Sequence, residues 1–588
     1  MRYGSFLSAL SLSTLASGSQ HPLKTGASSS GNLYYTFPND IRRVAVIGAG
    51  PNGLVFTSTL IQHGFEVRMF ERAPNPGGVW YYTDNVPIPP SFPNRPIETM
   101  AYVPDIPDHL PATRIYEEGD DGLTIDWRIR EHWSPSPVWR SMTTNKQKFT
   151  MALPNIEHPQ NTPWKLHHMD VTRHIRQYAS SVGLNSNDEE HANVTEYGTR
   201  VERVEKIPGT DKRWTLTLRK LTPLRDGTLE VNWWQEEFDA VVLGSDARRE
   251  AAWVPPIPGM EEWARALPNA LFHSQQYRSP QEFQDKNVLI VGASQSGVGI
   301  ANDLIGHARS VMVSTREKVS SPAAVAIRKK LHKNITHVPE VEKFSNRPSP
   351  REANLHNASL VFANGTIASG FDAIILATGY RKSFPFLVGF HNSTIKGRDE
   401  PETVVAPIIT DGTHLRSLHW TGHYIDDPTL MICTAGPWRD AAGTYLALGA
   451  ARVWSGKARL PSIAKMWKSY PGAAHVLEEL FVSSQVRNRL LITWLNNEIL
   501  EFGGSLVQPP SVDELLEIGQ YWVAKEDPKE FGAFFERPIL AERPRHEWKI
   551  YHGGEYEDVQ SELFTHPQLQ YLSSNRAPKH WADFSVEW

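Results

Sequence analysis

The chain has 588 residues, enough for several domain-sized units or one large multi-lobed enzyme with a sizeable core. Hydrophobic residues make up 40% and charged residues 21%, and a formal charge of −5 supplies no basic field to attract nucleic acid. Cys433 is the only cysteine, which excludes an internal disulfide, a CxxC redox pair and a cysteine metal cage; the 23 histidines show no HExxH-type spacing, so no metal site is expected.

Residues 1–20 join Arg2 to a mildly apolar stretch and then to small residues around Ala16, the pattern of a secretory signal peptide or a disordered leader. Residues 21–40, rich in Ser, Gly and Pro, lead to the first strand. Five N-x-S/T sequons begin at Asn193, Asn334, Asn357, Asn364 and Asn392, so the expectation is a glycoprotein of the secretory pathway, with the ER lumen as its residence and the cytoplasm as the alternative. No run of eighteen apolar residues occurs elsewhere, so no transmembrane helix is expected.

Val44 to Ile47 is a β-branched run suited to a buried parallel strand, and Gly48-x-Gly50-x-x-Gly53 follows at once. Helical spacing through Leu54, Ser58 and Ile61 then runs to a C-cap at Gly64, and Phe65 to Glu71 reads as a second strand. In such a βαβ unit Gly48 permits the tight turn, Gly50 admits a pyrophosphate to the backbone, and Gly53 lets helix and strand approach. Glu71 ends the second strand, where a carboxylate accepts hydrogen bonds from an adenosine ribose, most simply that of FAD. Pro74 to Gly78 makes a bend of little bulk, either a close backbone approach to a ligand or an ordinary surface turn.

The pattern returns at "VLIVGASQSGVGIAND", residues 288–303. Asn287 to Val291 is a strand, the loop positions are Gly292, Ser294 and Gly297, and Ser296 to His307 has helical spacing. A hydrolase elbow would need GxSxG, and Ser296 stands where its second glycine should be. Val311 to Thr315 reads as the next strand, followed by Arg316 where the first unit has Glu71. An arginine there pairs with a 2′-phosphate, which assigns the second loop to NADPH, unless it is simply an exposed surface residue.

These residues, with several motifs in order between about Arg43 and Pro461, resemble the flavin-containing monooxygenases. Gly77-Gly78-Val79-Trp80 is similar to that family's GGxW segment, "SMTTNKQKFTM" to the segment carrying its active-site asparagine, and "VPPIPGM" to the crossing into its NADPH domain. "HSQQYR" at 273–278 is similar to the end of its fingerprint, "LATGYRKSFPFL" to the returning segment, and "DDPTL" with "AARVWSGKARLP" to its C-terminal part. Two departures stand out: Leu267 and Asn269 replace the Phe-x-Gly that usually opens the fingerprint, and Gly244-Ser245 stands where Ala-Thr-Gly is usual.

The resemblance implies an α/β fold: two Rossmann-like dinucleotide-binding domains, the NADPH domain inserted in the FAD domain, and a mainly helical C-terminal extension. The expected boundaries are 41–255 and 373–461 for the FAD domain, 256–372 for the NADPH domain and 462–588 for the extension, where "VLEELF" and "RNRLLITWLNNEIL" read as amphipathic helices. It further implies that NADPH reduces FAD, that oxygen then forms a 4a-hydroperoxyflavin, and that a small-molecule nitrogen or sulfur nucleophile is oxygenated. Asn145 is the implied catalytic residue, hydrogen bonding to the peroxide or placing the nicotinamide. Gly78, Trp80, Thr144, His273, Tyr277, Thr378 and Gly379 join the two loops as implied cofactor-binding residues. A tyrosine at 277 favours the N- and S-oxygenating group over Baeyer–Villiger enzymes; an uncoupled NADPH oxidase or a non-catalytic flavin-binding protein is the further alternative. The partners expected are the substrate and oxygen, and a homo-oligomer is compatible with them.

Overall fold

The computed structural model describes residues 33–508 except 160, 164, 190, 208–212, 245–250, 317–324, 326, 349–353, 396–404, 434–441 and 471–482. The leader, Ser245, "VLEELF" and the chain beyond 508 therefore lie outside the described residues. Two compact units divide the chain: one runs through 42–393 with 433–439, the other comprises 1–41, 394–432 and 440–588.

The larger unit holds both nucleotide loops. It begins with β1 (Arg43–Ile47), α1 (Pro51–Gln62) and β2 (Glu66–Glu71). Val44, Ala45 and Val46 have no exposed surface, as a strand covered on both faces requires. Pro51 sits at the first helical position, where its missing N–H costs nothing, and Gly64 takes a left-handed φ of 86° just past the C-cap.

The chain continues through β3 (Ala112–Tyr116), α2 (Ile125–His132), the antiparallel pair β4 (Thr143–Gln147) and β5 (Lys165–His167), and α3 (His168–Ser181). β6 (Thr195–Tyr197) then joins β2 in parallel. β7 (Thr199–Lys206), β8 (Trp214–Pro223) and β9 (Leu229–Phe238) form an antiparallel sheet with β3, in the order β3-β9-β8-β7. Arg200, with its Nε 2.8 Å from Glu202 and its Nη1 2.8 Å from Glu131, fastens α2 to that sheet, and Arg219 shares Glu131 at 3.0 Å. β10 (Ala240–Leu243) returns beside β1, so the strands run β10-β1-β2-β6, all parallel. The chain leaves β1 to one side and comes back on the other, and that reversal opens a crevice at the carboxyl end of β1.

The second lobe follows β11 (Ala251–Ala252): α4 (Met260–Ala266), β12 (Leu271–His273), β13 (Asn287–Val291), α5 (Gln295–Asp303), β14 (Ser310–Ser314) and β15 (Thr336–Val338). β16 (Val341–Phe344), β17 (Leu360–Phe362) and β18 (Ile367–Ala368) make a small antiparallel sheet before β19 (Ala373–Leu376). The parallel order is β12-β19-β13-β14-β15. Leu289 and Val291 pack into one cluster with Trp263, Phe344 and Phe362, while Val288 and Ile290 pack into another with Tyr277, Val298 and Ile300. Both faces are buried, which explains why β13 is a continuous apolar run instead of an alternating one.

One boundary needs correction. β19 belongs to the second sheet, because Val288 to Val291 pair in parallel with Ala373 to Leu376; the return to the first domain therefore falls after Leu376, not at 373. The return is marked by β20 (Tyr380–Arg381), which runs antiparallel to β11.

The smaller unit is held by α6 (Ala442–Trp454), α7 (Ile463–Lys468) and α8 (Ser483–Phe502), the last containing the expected helix of the extension. Gly449 of α6 makes room for the Trp494 ring of α8, which would lie 2.8 Å from an added Cβ. Glu498, buried on α8, accepts both the Arg459 backbone N–H at 3.0 Å and its Nε–H at 3.3 Å. Among the described residues no helix is long and apolar enough to cross a membrane.

Candidate active site

The first loop is shaped by glycine contacts. A Cβ on Gly53 would lie 1.7 Å from the Gly48 carbonyl oxygen, and one on Gly78 would lie 2.9 Å from Gly50 Cα, so the GGVW turn lies directly against the nucleotide loop. Gly48 itself has φ of 100°, a conformation that only glycine adopts without strain. Its N–H donates to Phe70 O at 2.7 Å, and Gly77 N–H donates to Ala49 O at 3.2 Å. Trp80, next to that turn, is buried, and its carbonyl accepts from Thr172 Oγ1 of α3.

Glu71 is buried and accepts the N–H of Ala49 at 2.6 Å and of Ala73 at 2.8 Å. Charge-assisted bonds of this kind hold the strand end against the loop. The N-terminus of α1 carries no side-chain cap, and among the described residues the buried Asn52 Oδ1 has no hydrogen-bond partner. Bare backbone at an uncapped helix N-terminus suits a pyrophosphate, and the unsatisfied Asn52 oxygen suits a ligand donor such as a hydroxyl. The loop thus fits the FAD that the sequence assigns to it. Gly244 also finds its reason here: an added Cβ would meet Gly53 Cα at 2.8 Å, so a bulkier residue at the end of β10 would push α1 away.

The second loop repeats this construction. Gly292 has φ of 106°, and added Cβ atoms at Gly292 and Gly297 would lie 2.5 Å from Ala377 O and 2.0 Å from Gly292 O. Ser294 is the N-cap residue of α5 but its side chain makes no capping bond, and Ser296 lies in the first turn, leaving that helix end to backbone donors as a phosphate site requires. Arg316, two residues beyond β14, is exposed and pairs through Nε with Glu340 Oε1 at 3.1 Å.

The remaining predicted residues occupy different places. Thr144 is buried, donating to Lys146 O at 2.6 Å and accepting Leu166 N–H at 3.1 Å, which ties β4 to β5. Asn145, the next residue on the strand, is exposed. Thr378 Oγ1 donates to Trp253 O at 2.6 Å and Gly379 O accepts Trp253 N–H at 3.0 Å, so this pair sits at the crossing between lobes.

His273 ends β12, and one turn of 3₁₀ helix, Ser274–Gln276, separates it from Tyr277. His273 is fully buried; its Nδ1 accepts Gln275 N–H at 3.3 Å, so Nε2 carries the proton donated to Gly379 O at 3.0 Å. Burial lowers its pKa to about 4, which keeps the ring neutral. Tyr277 is also fully buried, and its hydroxyl donates to Asp303 Oδ2 at 2.7 Å. Burial, followed by the bond to Asp303, raises its pKa.

Asp303 is a residue that the sequence reading missed. Its other oxygen accepts Ser141 Oγ–H at 2.6 Å, and Gly299 of the same helix packs under Trp139, whose ring would lie 3.1 Å from an added Cβ. Through these contacts α5 is attached to the segment leading into Asn145, which is also tied to the chain next to Tyr277 by the bond from Arg140 N–H to Arg278 O at 2.9 Å. A signal was present in the sequence: a carboxylate in the last turn of a helix opposes the helix dipole and needs another reason to be there.

Two uncapped dinucleotide loops in one unit, the second coupled to the strand that bears an exposed amide, are the frame of a flavoprotein reduced by a nicotinamide. Comparison with known proteins agrees. The pattern described as Flavin-binding monooxygenase-like matches residues 111–321, an NAD(P)-binding Rossmann-like domain matches 46–100, and the Pyridine nucleotide-disulphide oxidoreductase pattern matches 260–407. Flavin-containing monooxygenase iboF of Amanita muscaria is 35% identical over 498 residues, covering 81% of this chain and 91% of that protein. Flavin-containing monooxygenase ustF2 of Aspergillus flavus is 28% identical, covering 77% and 92%. In fold the chain is similar to S-allyl-L-cysteine S-oxygenase from Allium sativum, with a TM-score of 0.52 and 20% identity over 86% of this chain and 98% of that one. Tmm from a Pelagibacter strain gives 0.53 and 18%, over 82% and 90%. The chain belongs to the flavin-containing monooxygenases, and as such it is an FAD- and NADPH-dependent oxidoreductase that uses molecular oxygen.

Proposed function

We propose that the substrate is a small molecule oxygenated at a soft nitrogen or sulfur. The observation that carries this reading is Tyr277: the fingerprint segment holds a buried tyrosine bonded to Asp303, and a tyrosine at this position resembles the N- and S-oxygenating group. FAD, when bound, takes a hydride from NADPH and activates oxygen, and the protein contributes placement and control of water. Gly48, Gly50, Gly53 and Gly78 admit the flavin nucleotide, Gly292 and Gly297 admit the nicotinamide nucleotide, and Asn145 offers an amide that donates without changing protonation state. Asp303, through Ser141, keeps α5 in register with the segment that carries Asn145. The test is substrate-dependent NADPH consumption by the purified holoenzyme, scored against product. Oxygenated amine or sulfide in step with NADPH supports the proposal; lactone from a cyclic ketone would replace it with Baeyer–Villiger chemistry, and peroxide without product would replace it with an oxidase.

We further propose that the chain enters the secretory pathway, with the ER lumen as its residence. Asn193, Asn334, Asn357 and Asn364 of the sequons are exposed. Asn364 stands at the turn between β17 and β18, with its Oδ1 accepting Thr366 N–H at 3.0 Å. A mobility shift on endoglycosidase treatment of the native protein supports this; an unshifted band with an intact Met1 would place it in the cytoplasm.

A further inference from the structure

We propose that Glu340 is a specificity-determining residue, competing with the 2′-phosphate of NADPH for Arg316 and so narrowing the preference for NADPH over NADH. The inference rests on the assignment of the second loop to the nicotinamide nucleotide. The end of the second strand of a βαβ unit is where the adenosine ribose arrives: an acid there accepts the 2′-hydroxyl, and an arginine there pairs with a 2′-phosphate. This strand end carries the arginine, and the turn after β15 sets an acid, Glu340, 3.1 Å from it.

The position of Glu340 is fixed by its backbone. Thr315 N–H donates to Val338 O at 3.0 Å, Ser314 Oγ donates to Pro339 O at 2.8 Å, and the same hydroxyl accepts Val341 N–H at 3.2 Å. Ala363 N–H closes the other side on Glu340 O at 2.9 Å. The 338–341 turn is therefore stitched to the end of β14, and the carboxylate is presented to Arg316 from a rigid base. Arg328 adds a second guanidinium to this strand end, its Nη1 donating to Arg316 O at 3.0 Å.

A phosphate approaching Arg316 must displace or share a guanidinium already neutralised, and it meets a like charge beside it. A ribose hydroxyl meets an acceptor instead. Both side chains are more than half exposed, so the competition has the size of a surface ion pair, a few-fold in binding. It weakens as salt screens it.

The experiment measures steady-state oxidation of NADPH and of NADH, together with flavin bleaching by each under anaerobic conditions, in the holoenzyme and in Glu340→Gln, Arg316→Ala and the double variant. Glu340→Gln is expected to lower the KM for NADPH about two- to five-fold with no such gain for NADH, an effect in KM and not in kcat that shrinks at high salt. Arg316→Ala is expected to raise the KM for NADPH about ten-fold or more while NADH is used as well or better, because Glu340 is released to its hydroxyl. The double variant is expected to treat the two nucleotides alike. Glu340→Gln changing both KM values equally, or neither, while Arg316→Ala still moves NADPH, overturns the role of Glu340 and leaves the functional reading intact. A holoenzyme that NADPH does not bleach overturns that reading, and this inference with it.

Discussion

The two nucleotide loops share a backbone and differ in what ends the following strand. Gly48 N–H bonds Phe70 O at 2.7 Å in the first, and Gly292 N–H bonds Ser314 O at 2.9 Å in the second. Gly244 N–H reaches Ile47 O at 3.0 Å, and Ala377 N–H reaches Val291 O at 2.8 Å. Yet Glu71 is buried with its carboxylate committed to the backbone N–H groups of Ala49 and Ala73, whereas Arg316 is exposed and committed to another side chain. The first site is built as part of the fold, and the second as a surface a ligand can rearrange. That difference suits a cofactor that stays and one that comes and goes.

Steric substitutions test the shared part and have the largest expected effects. Gly53→Ala forces a methyl to within 1.7 Å of a backbone oxygen, so the purified protein should lose its flavin absorbance and melt several kcal/mol less stable. Gly50→Ala, whose nearest neighbour would be 3.5 Å away, should fold, with any loss confined to flavin affinity; equal damage in both would break the account of the first loop. Gly297→Ala meets Gly292 O at 2.0 Å and should abolish bleaching by NADPH while bound flavin is retained, separating the loops by function.

Charge tests the part that differs. His273 ties the crossing between lobes in its neutral form, and its folded pKa of about 4 lies below the ordinary value of 6.5. Its contribution is therefore present above pH 6.5 and is lost as pH falls from there toward 4, by roughly 3 kcal/mol for a buried group. His273→Gln should flatten that slope in denaturant melts across this window. Glu71→Gln replaces one acceptor by an amide nitrogen facing a backbone N–H and should cost about 1–3 kcal/mol with weaker flavin retention. Arg316→Ala should leave the melt within about 0.5 kcal/mol, since an exposed ion pair contributes little; a cost as large as that of Glu71→Gln would erase the distinction drawn above.

Both βαβ units were legible in the sequence because their determinants are local: a β-branched run, glycines at fixed offsets, a helical stripe and a charged strand end. The observed β1 differs from its expected limits by one residue, whereas α1 begins at Pro51, three residues before its first periodic position at Leu54. What joins the units was not legible. Asp303 finds Ser141 across 162 positions, Asn94 pairs with the Val254 backbone across 160, and Arg200 reaches Glu131 across 69. Such partners carry no periodicity and leave no spacing to read. Asn145 illustrates the remaining gap: its motif could be matched, but only the strand shows that Thr144 is the side chain turned in and Asn145 the one left exposed.

The crossing between lobes also bears on how such a chain could have been assembled. Ala252 and Tyr380 lie opposite each other in an antiparallel ladder, and Asn94 grips the strand just beyond, accepting Val254 N–H at 3.0 Å and donating to its carbonyl at 2.6 Å. Everything from 253 to 379, including the whole second sheet, thus departs from and returns to neighbouring points. The nicotinamide lobe has the connectivity of a cassette: a module whose ends already meet can be gained, exchanged or excised as one piece, leaving the β10-β1-β2-β6 order of its host uninterrupted.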